Sequence, residues 1–251
     1  MTRTLFLAWQ DPRKPRWCLI GRLRWDGHIF QFVYTRGALK AQEAGGFGPL
    51  AAFPDFRKEY QSEELFPLFT NRLMRASRPD YPLFLQWLNI PRTDAHPMSI
   101  LARSGGHRVT DTLEVFPYPE DPLDGIYETV FFSHLSEEPS LYAESLTPGE
   151  HLVVKQDLQN QEDPNALALY TAAGEPLGYC PRFLRGEILS LMKDGDNPPS
   201  ITVEKVNPHP APIQFRVLCR LRMKWTAGFQ PFSDPEFQPI GFAETPELQV
   251  A

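Results

Sequence analysis

The sequence predicts a strand-rich α+β protein with two domains. Its 251 residues suit one large domain or two small ones. The 26 prolines are about twice the average usage, which favours short strands and loops over long helices. Residues 117–124 hold three prolines in eight positions, and such a segment stays extended because proline cannot donate to a strand ladder. We therefore predict domains at 1–120 and 125–228, followed by a C-terminal tail at 229–251.

Composition excludes several function classes. The formal net charge is −6 at pH 7, so the chain has no overall basic field of the kind that coats polyanions. Three dispersed cysteines, Cys18, Cys180 and Cys219, indicate a reducing compartment rather than a zinc site. The six histidines show no metal-ligand spacing, and no serine lies in a Gly-x-Ser-x-Gly setting. We expect a soluble cytoplasmic protein with no catalytic residues, no metal, no cofactor and no membrane segment.

The first domain opens with a predicted hairpin. Cys18–Trp25 and His28–Tyr34 both alternate between apolar and polar residues, and Asp26-Gly27 separates them. Asp-Gly between two alternating runs favours a tight turn, because both turn residues need positive φ. One face of the second run is expected in the core: Phe30, Phe32 and Tyr34.

Short helices are predicted after this hairpin. Residues 37–52 show no periodicity and are predicted to be a loop. Helices are expected to begin after Ser62, where acids follow an N-cap hydroxyl, after Asp80, and at 97–103, before a final strand through Val115. In the first of these helices Arg72 is expected near the C-terminus, where its charge complements the helix dipole.

This order of elements resembles the first N-terminal subdomain of HipA-type toxin kinases. The matching passages are residues 20–34, 66–73 and 99–117, within a resemblance that covers roughly residues 5–117. It implies an α/β subdomain and a bacterial protein. It implies no activity, because the kinase core lies in a part of that family that this chain lacks.

The second domain begins with apolar residues 152–154, which predict a strand and run into the polar loop 159–165. A strand at 166–170, a turn at Gly174 and a helix at 181–193 follow. Strands are then predicted at 201–206 and 215–225. The tail keeps the aromatic residues Phe229, Phe232 and Phe237, so its first part is expected to pack on the protein surface.

The motif Asp163-Pro164-Asn165-Ala166, followed by Gly178-Tyr179-Cys180-Pro181-Arg182, resembles the core of the HIRAN domain. The resemblance covers roughly residues 127–227. It implies a small β-barrel with one or two helices that binds single-stranded DNA or an exposed 3′ DNA end. In the family the aspartate that matches Asp163 lies where the terminal 3′-hydroxyl is recognised, and Asn160, Tyr179 and Arg182 fall on matching positions.

Two readings of these residues are open. Asp163-Pro164-Asn165 is a turn signal in its own right, because Asp and Asn bond their own backbone and proline presets φ. In the functional reading Asp163 and Asn165 offer polar groups to a nucleotide, Tyr179 offers a stacking face and Arg182 answers a phosphate. The chain also departs from DNA-binding members: Ser136-Glu137-Glu138 replaces an Arg-Tyr pair, and Glu162 stands where an aromatic residue would stack on a base.

A cationic stripe is predicted on the last strand. Residues 215–225 alternate strictly, so four cations share one face because successive side chains of a strand point to opposite sides: Arg216, Arg220, Arg222 and Lys224. The stripe is either a solvated strand face or a track for a phosphate backbone.

We therefore expect a non-enzymatic nucleic-acid-binding protein, in DNA repair or phage defence. The alternative is a protein-interaction module of a toxin–antitoxin or anti-phage system that does not bind DNA. The acidic net charge and the missing Arg-Tyr pair favour this alternative.

Overall fold

A computed structural model describes residues 3–14, 17–119, 124–135, 140–161, 163–193 and 197–241, without the side chains of 140–142. Contacts divide the chain into two compact units: Met1–Leu73 with Gly105–Pro117 and Phe232–Ala251, and Met74–Ser104 with Tyr118–Pro231. Both units are built on antiparallel sheets, so the strand-rich α+β class is confirmed. Compactness does not establish independent folding, and the domain boundaries at 120 and 228 stay a prediction.

In its described residues the first unit contains a five-stranded antiparallel sheet, two α-helices and a short 3-10 helix at Pro235–Phe237. The strands are β1 (Arg3–Gln10), β2 (Trp17–Trp25), β3 (Phe30–Tyr34), β4 (Tyr60–Ser62) and β5 (Leu113–Pro117). Their order in the sheet is β4-β3-β2-β1-β5. The helices are α1 (Arg36–Glu43) and α2 (Pro67–Thr70).

The hairpin predicted at Asp26-Gly27 is confirmed, but its turn is longer than predicted: β3 begins at Phe30 rather than at His28, and Gly27 has positive φ whereas Asp26 does not. Gly27 has a φ of 114°, in the left-handed region that favours glycine. The Asp26 side chain accepts hydrogen bonds from the backbone N–H groups of His28 and Ile29, each at 2.9 Å, and so holds the turn. The residues predicted on the core face of β3 are buried: Phe30, Phe32 and Tyr34.

Two local predictions for this unit are wrong. Residues 37–52 were predicted to be a loop, but most of α1 lies in this segment. The inner face of this helix can be buried because Ala38 and Ala41 are small. Gly37 permits the close approach, since a Cβ there would lie 2.0 Å from the Leu19 carbonyl oxygen. The helix expected after Ser62 is reduced to the four residues of α2, because Ser62 belongs to β4 and pairs with β3.

Arg72 is a core residue, not the exposed end of a helix. Its side chain is 1% exposed, and Nη2 lies 2.7 Å from Oδ2 of Asp111. Nη1 donates to the Gly106 carbonyl oxygen at 2.9 Å. The guanidinium therefore fastens the segment before β5 to the end of α2.

Phe232 and Phe237 of the tail pack on this unit, whereas Phe229 belongs to the second unit and packs on Tyr127 and Trp225. The ring centroids of Phe232 and Phe237 lie 5.3 Å and 5.4 Å from that of Phe6. The Ile240 N–H donates to the Tyr34 carbonyl oxygen at 2.9 Å. Residues 242–251 lie outside the described part of the chain.

The second unit contains seven strands and four α-helices in its described residues. The strands are β6 (Ile126–Phe132), β7 (His134–Leu135), β8 (His151–Gln156), β9 (Leu167–Tyr170), β10 (Pro176–Tyr179), β11 (Ser200–Val206) and β12 (Val217–Lys224). The helices are α3 (Tyr81–Trp87), α4 (Pro97–Ser104), α5 (Ser140–Ser145) and α6 (Arg182–Met192). Helices α3 and α4 confirm those predicted after Asp80 and at 97–103. No helix in the described residues is long and apolar enough to span a membrane.

The seven strands form a curled half-barrel in the order β6-β12-β11-β8-β9-β10-β7. Strands β6 and β7 lie at opposite ends of this order, yet Ser133 alone separates them in the chain. The sheet must therefore curl until its two edges meet, which leaves few unpaired edge groups. The inner face and α6 enclose one apolar core, which includes Leu167, Leu177, Leu184, Ile188 and Leu221.

The seam between β7 and β10 depends on Gly178. This residue pairs with Leu135, and a Cβ on it would lie only 2.2 Å from the His134 carbonyl oxygen. Its φ of 152° is also one that side-chain-bearing residues rarely adopt. The Gly-Tyr motif therefore has a structural cause: glycine lets β7 close against β10, directly beside Tyr179.

Candidate nucleic-acid interface

The predicted loop between β8 and β9 is held by its own polar side chains. The Asp163 N–H donates to Asn160 Oδ1 at 3.0 Å, and the Asn165 N–H donates to Asp163 Oδ1 at 3.0 Å. The Asn160 N–H in turn donates to the Asp157 carbonyl oxygen at 3.2 Å. The bond from the Asn165 N–H supports the interpretation of Asp163-Pro164-Asn165 as a turn. Together these bonds hold the Asn160 and Asp163 side chains in place before any ligand arrives.

Tyr179 joins this loop from β10. Its hydroxyl donates to Asp157 Oδ2 at 3.0 Å. The pKa of Tyr179 is raised, chiefly by this hydrogen bond and then by burial, while the Asn160 side chain acts in the opposite direction. Tyr170 on β9 also contributes slightly to the increase. The phenol therefore lies among Asp157, Asn160 and Tyr170.

Helix α6 brings cations to the same loop. Arg182 is its first residue, and Arg185, one turn later, forms an ion pair with Asp163. Arg185 Nε also donates to the Arg182 carbonyl oxygen at 3.1 Å. The side chains of Arg185 and Asp163 are only 14% and 15% exposed, so little water screens the pair. Sequence reasoning missed Arg185, although its spacing of three from Arg182 on a helix was a usable signal.

The structure thus brings together three segments that carry predicted residues. Asn160, Asp163 and Asn165 lie on the loop, Tyr179 lies at the end of β10 and Arg182 opens α6. Asn165 is exposed, and Arg182 is half-buried. The arrangement offers a hydroxyl, a carboxylate, an aromatic ring and two guanidinium groups within one polar surface.

The cationic stripe is largely neutralised by carboxylates. Arg220 forms ion pairs with two carboxylates, those of Glu204 and Glu128. Its Nε lies 2.8 Å from Glu204 Oε2. Arg222 Nε lies 3.0 Å from Glu128 Oε2. The pKa of Glu204 is lowered, mainly by its hydrogen bonds from Arg220.

Arg216 belongs to a different environment from the rest of the stripe. It follows a short 3-10 turn, Ile213–Phe215, so the predicted strand at 215–225 begins two residues later, at Val217. Its guanidinium donates to the Ala211 carbonyl oxygen at 2.7 Å and to Glu144 Oε1 at 3.3 Å. Only Lys224, at the exposed end of β12, has no carboxylate partner among the described residues.

The face of β11 and β12 that carries Arg220 also receives the helices at 81–104. Lys205 donates to the Gln86 carbonyl oxygen, and Asn207 Nδ2 donates to the Trp87 carbonyl oxygen at 2.9 Å. Burial lowers the pKa of Arg103 on α4, although the nearby Glu204 opposes that decrease. These contacts pack α3 and α4 beside the stripe, and binding of nucleic acid by the stripe stays a prediction.

The two predicted departures from DNA-binding HIRAN members cannot be placed in this geometry. Ser136-Glu137-Glu138 and Glu162 lie outside the described residues.

Comparison with known proteins identifies the segment that carries these residues. The model of the HIRAN domain matches residues 126–226. Among solved structures, a protein from Lactobacillus plantarum is 18% identical, over 39% of this chain and 97% of that chain, with a TM-score of 0.30. The HIRAN domain of human HLTF is 16% identical, over 39% of this chain and 73% of that chain, with a TM-score of 0.27. A search of curated proteins found no match.

The family match begins with β6 and ends just after β12, so it spans the seven-stranded sheet together with α5 and α6. It agrees with the span of roughly 127–227 expected from the motif residues. Residues 126–226 are therefore confirmed as a HIRAN domain.

Proposed function

We propose that this protein is a non-enzymatic nucleic-acid-binding protein whose HIRAN domain binds single-stranded DNA at an exposed 3′ end. HIRAN domains are generally modules for single-stranded DNA or 3′ ends. The observation that carries the proposal is the convergence of Asn160 and Asp163 with Tyr179 and the start of α6. These are the residues that the family resemblance assigned to the DNA end.

The chemistry of this surface suits a DNA end. An aromatic ring such as that of Tyr179 can stack on a base, and Arg182 can contact a phosphate. The Asp163 carboxylate is held by the Asn165 N–H and by Arg185. A carboxylate has about four lone-pair positions, but Oδ2 is buried beside Arg185, so a sugar hydroxyl would be accepted by Oδ1 or would displace Arg185.

A second candidate is the protein-interaction module, and the neutralised stripe favours it. Arg220 and Arg222 face Glu128 and Glu204, so this surface has little free positive charge for a phosphate backbone. Three finer proposals are consistent with both candidates. They are a role in DNA repair or phage defence, the resemblance of residues 5–117 to the HipA subdomain, and a bacterial origin.

Fluorescence anisotropy with labelled oligonucleotides tests the proposal. The label is placed at the 5′ end, and the 3′ end carries either a hydroxyl or a phosphate. We expect tighter binding of the hydroxyl form at low salt, where electrostatic contacts are strongest. Asp163→Asn should remove this preference, and Tyr179→Ala should weaken both forms about tenfold.

Two arginine variants separate a local phosphate contact from a general loss of charge. Arg182→Gln should reduce the salt dependence of binding by about one counterion. Arg24→Gln removes an exposed arginine from the first unit and should leave binding unchanged. Failure of the wild-type protein to bind either oligonucleotide at low salt would refute the proposal and favour the interaction module.

A further inference from the structure

The outer face of β8, β9 and β10 adjoins the proposed DNA-end site. Strand register places Lys155 opposite Ala168, Ala168 opposite Tyr179, and Tyr179 opposite His134. Residues paired directly across antiparallel strands point to the same side of a sheet. This row therefore runs across four strands on the side opposite the apolar core.

Tyr170 lies in the next row of the same face. It pairs with Val153 of β8, whose side chain is 43% exposed. The Lys155 ammonium lies 5.1 Å from the centroid of the Tyr170 ring, which is a cation–π distance. The surface thus combines a half-buried aromatic ring, a cation and an exposed aliphatic side chain.

The spacing of the two tyrosines suits successive bases. Because Tyr179 pairs with Ala168, Tyr170 is its diagonal neighbour, at a separation of about 7–8 Å between backbone positions. The small side chain of Ala168 lies between them. Beneath this face the alternate residues Leu167 and Leu169 are packed in the core, so both tyrosines stand on a rigid sheet.

We propose that Tyr170 and Lys155 form a second nucleotide subsite, in which a base stacks at Tyr170 and Lys155 contacts the adjoining phosphate. This rests on the proposed function, since the strand would reach Tyr170 from an end bound at Tyr179. Stacking on an aromatic ring accepts every base, so the subsite adds affinity without sequence preference. The cation in this row complements the phosphate charge of the strand.

Oligonucleotide length provides the test. Anisotropy is measured with the wild-type full-length protein and 5′-labelled thymidine nucleotides that end in the same 3′-hydroxyl, from a mononucleotide to about eight nucleotides. Wild-type affinity should increase as the oligonucleotide becomes long enough to reach Tyr170. Tyr170→Ala should weaken binding of the longest oligonucleotide about tenfold and leave the mononucleotide unchanged, and Tyr170→Phe should restore the increase.

A matched pair of lysine variants tests the phosphate contact. Lys58 lies over Tyr60 at 5.4 Å on the edge of the first unit's sheet, in the same kind of cation–π pair. Lys155→Gln should reduce the salt dependence of binding to the longest oligonucleotide by about one counterion. Lys58→Gln removes an equivalent charge and contact and should not change it.

The outcomes separate this inference from the proposed function. If wild-type protein binds every length with equal affinity, or if Tyr170→Ala reduces mononucleotide and longer binding alike, the second subsite is refuted while end binding stands. If the wild type binds no oligonucleotide, both proposals fail and the exposed Val153–Tyr170 face is assigned to a protein partner. Circular dichroism of Tyr170→Ala and Tyr170→Phe verifies that both variants are folded.

Discussion

Gly178→Ala should open the seam between β7 and β10 and destabilise the HIRAN domain. Gly178 pairs with Leu135, and the neighbouring pair, Tyr179 with His134, is the other rung of this ladder. The ladder has only these two residue pairs. A disturbance at one pair therefore acts on the whole contact that closes the half-barrel.

The structure sets the size of this effect. The new Cβ would lie 2.2 Å from the His134 carbonyl oxygen and 2.9 Å from the Leu135 Cα. Neither is the end of a flexible side chain, so backbone must move, at a cost of about 1–3 kcal/mol for overpacking. The φ of 152° adds conformational strain of about 1–3 kcal/mol. We expect the free energy of unfolding to decrease by about 2–6 kcal/mol.

Gly174→Ala is the matched control. Gly174 lies in the turn before β10 and has a φ of 88°, but no atom lies within 4 Å of its Cβ position. Its substitution should cost only the strain of the left-handed conformation, about 1–2 kcal/mol. Urea unfolding compares the two variants, with the midpoint and the m-value read separately. Hydrogen exchange of peptides from residues 126–135 and 176–181 reports on the seam itself.

The reasoning fails if Gly178→Ala and Gly174→Ala unfold at the same urea concentration. It fails also if Gly178→Ala is the less stable variant but exchange in both peptides stays at the wild-type rate. In that case the loss would arise elsewhere. Glycine would then not be needed at this position to let β7 approach.

Three further predictions concern other parts of the chain. Phe232→Ala should lower the free energy of unfolding by about 3–5 kcal/mol, because Phe232 is 4% exposed and its ring packs on Phe6. Urea unfolding measures this loss. The control is Ile213→Ala at a half-exposed position, which should stay within about 0.5 kcal/mol of wild type. Arg72→Met should cost about 1–3 kcal/mol because it removes the ion pair with Asp111 and leaves the buried Gly106 carbonyl oxygen without this donor, and adding Asp111→Asn should recover part of the loss in a double-mutant cycle. Arg220 lowers the folded pKa of Glu204 below its usual 4.5, so the pair stabilises the fold above pH 4.5, and this stabilisation is lost as pH falls through the folded pKa. Glu204→Gln should therefore make stability less dependent on pH in this acid range. An unchanged pH profile of stability would contradict the pairing.

The sequence by itself determined the features that depend on a few neighbouring residues. Asp26-Gly27 specified a hairpin because its turn needs positive φ. Asp163-Pro164-Asn165 specified the loop between two strands, and Gly178-Tyr179 marked the HIRAN motif that the family match confirms. The turn and the loop each depend on interactions within their own segment, and Gly178-Tyr179 could be identified because it belongs to a known motif. Alternation likewise separated the core face of β12 from its outer face.

Only the tertiary structure decided what each polar face contacts. Periodicity placed Arg220 and Arg222 outside, but only strand pairing with β6 and β11 brought Glu128 and Glu204 to them. The sequence predicted Arg72 to be a cation near a helix end, but in the fold it is buried against Asp111, a residue far along the chain. Arg185 became part of the site because α6 returns to the loop that holds Asp163. The physical reason is the same throughout: local spacing sets the direction of a side chain, whereas its partner is set by which distant segment packs beside it.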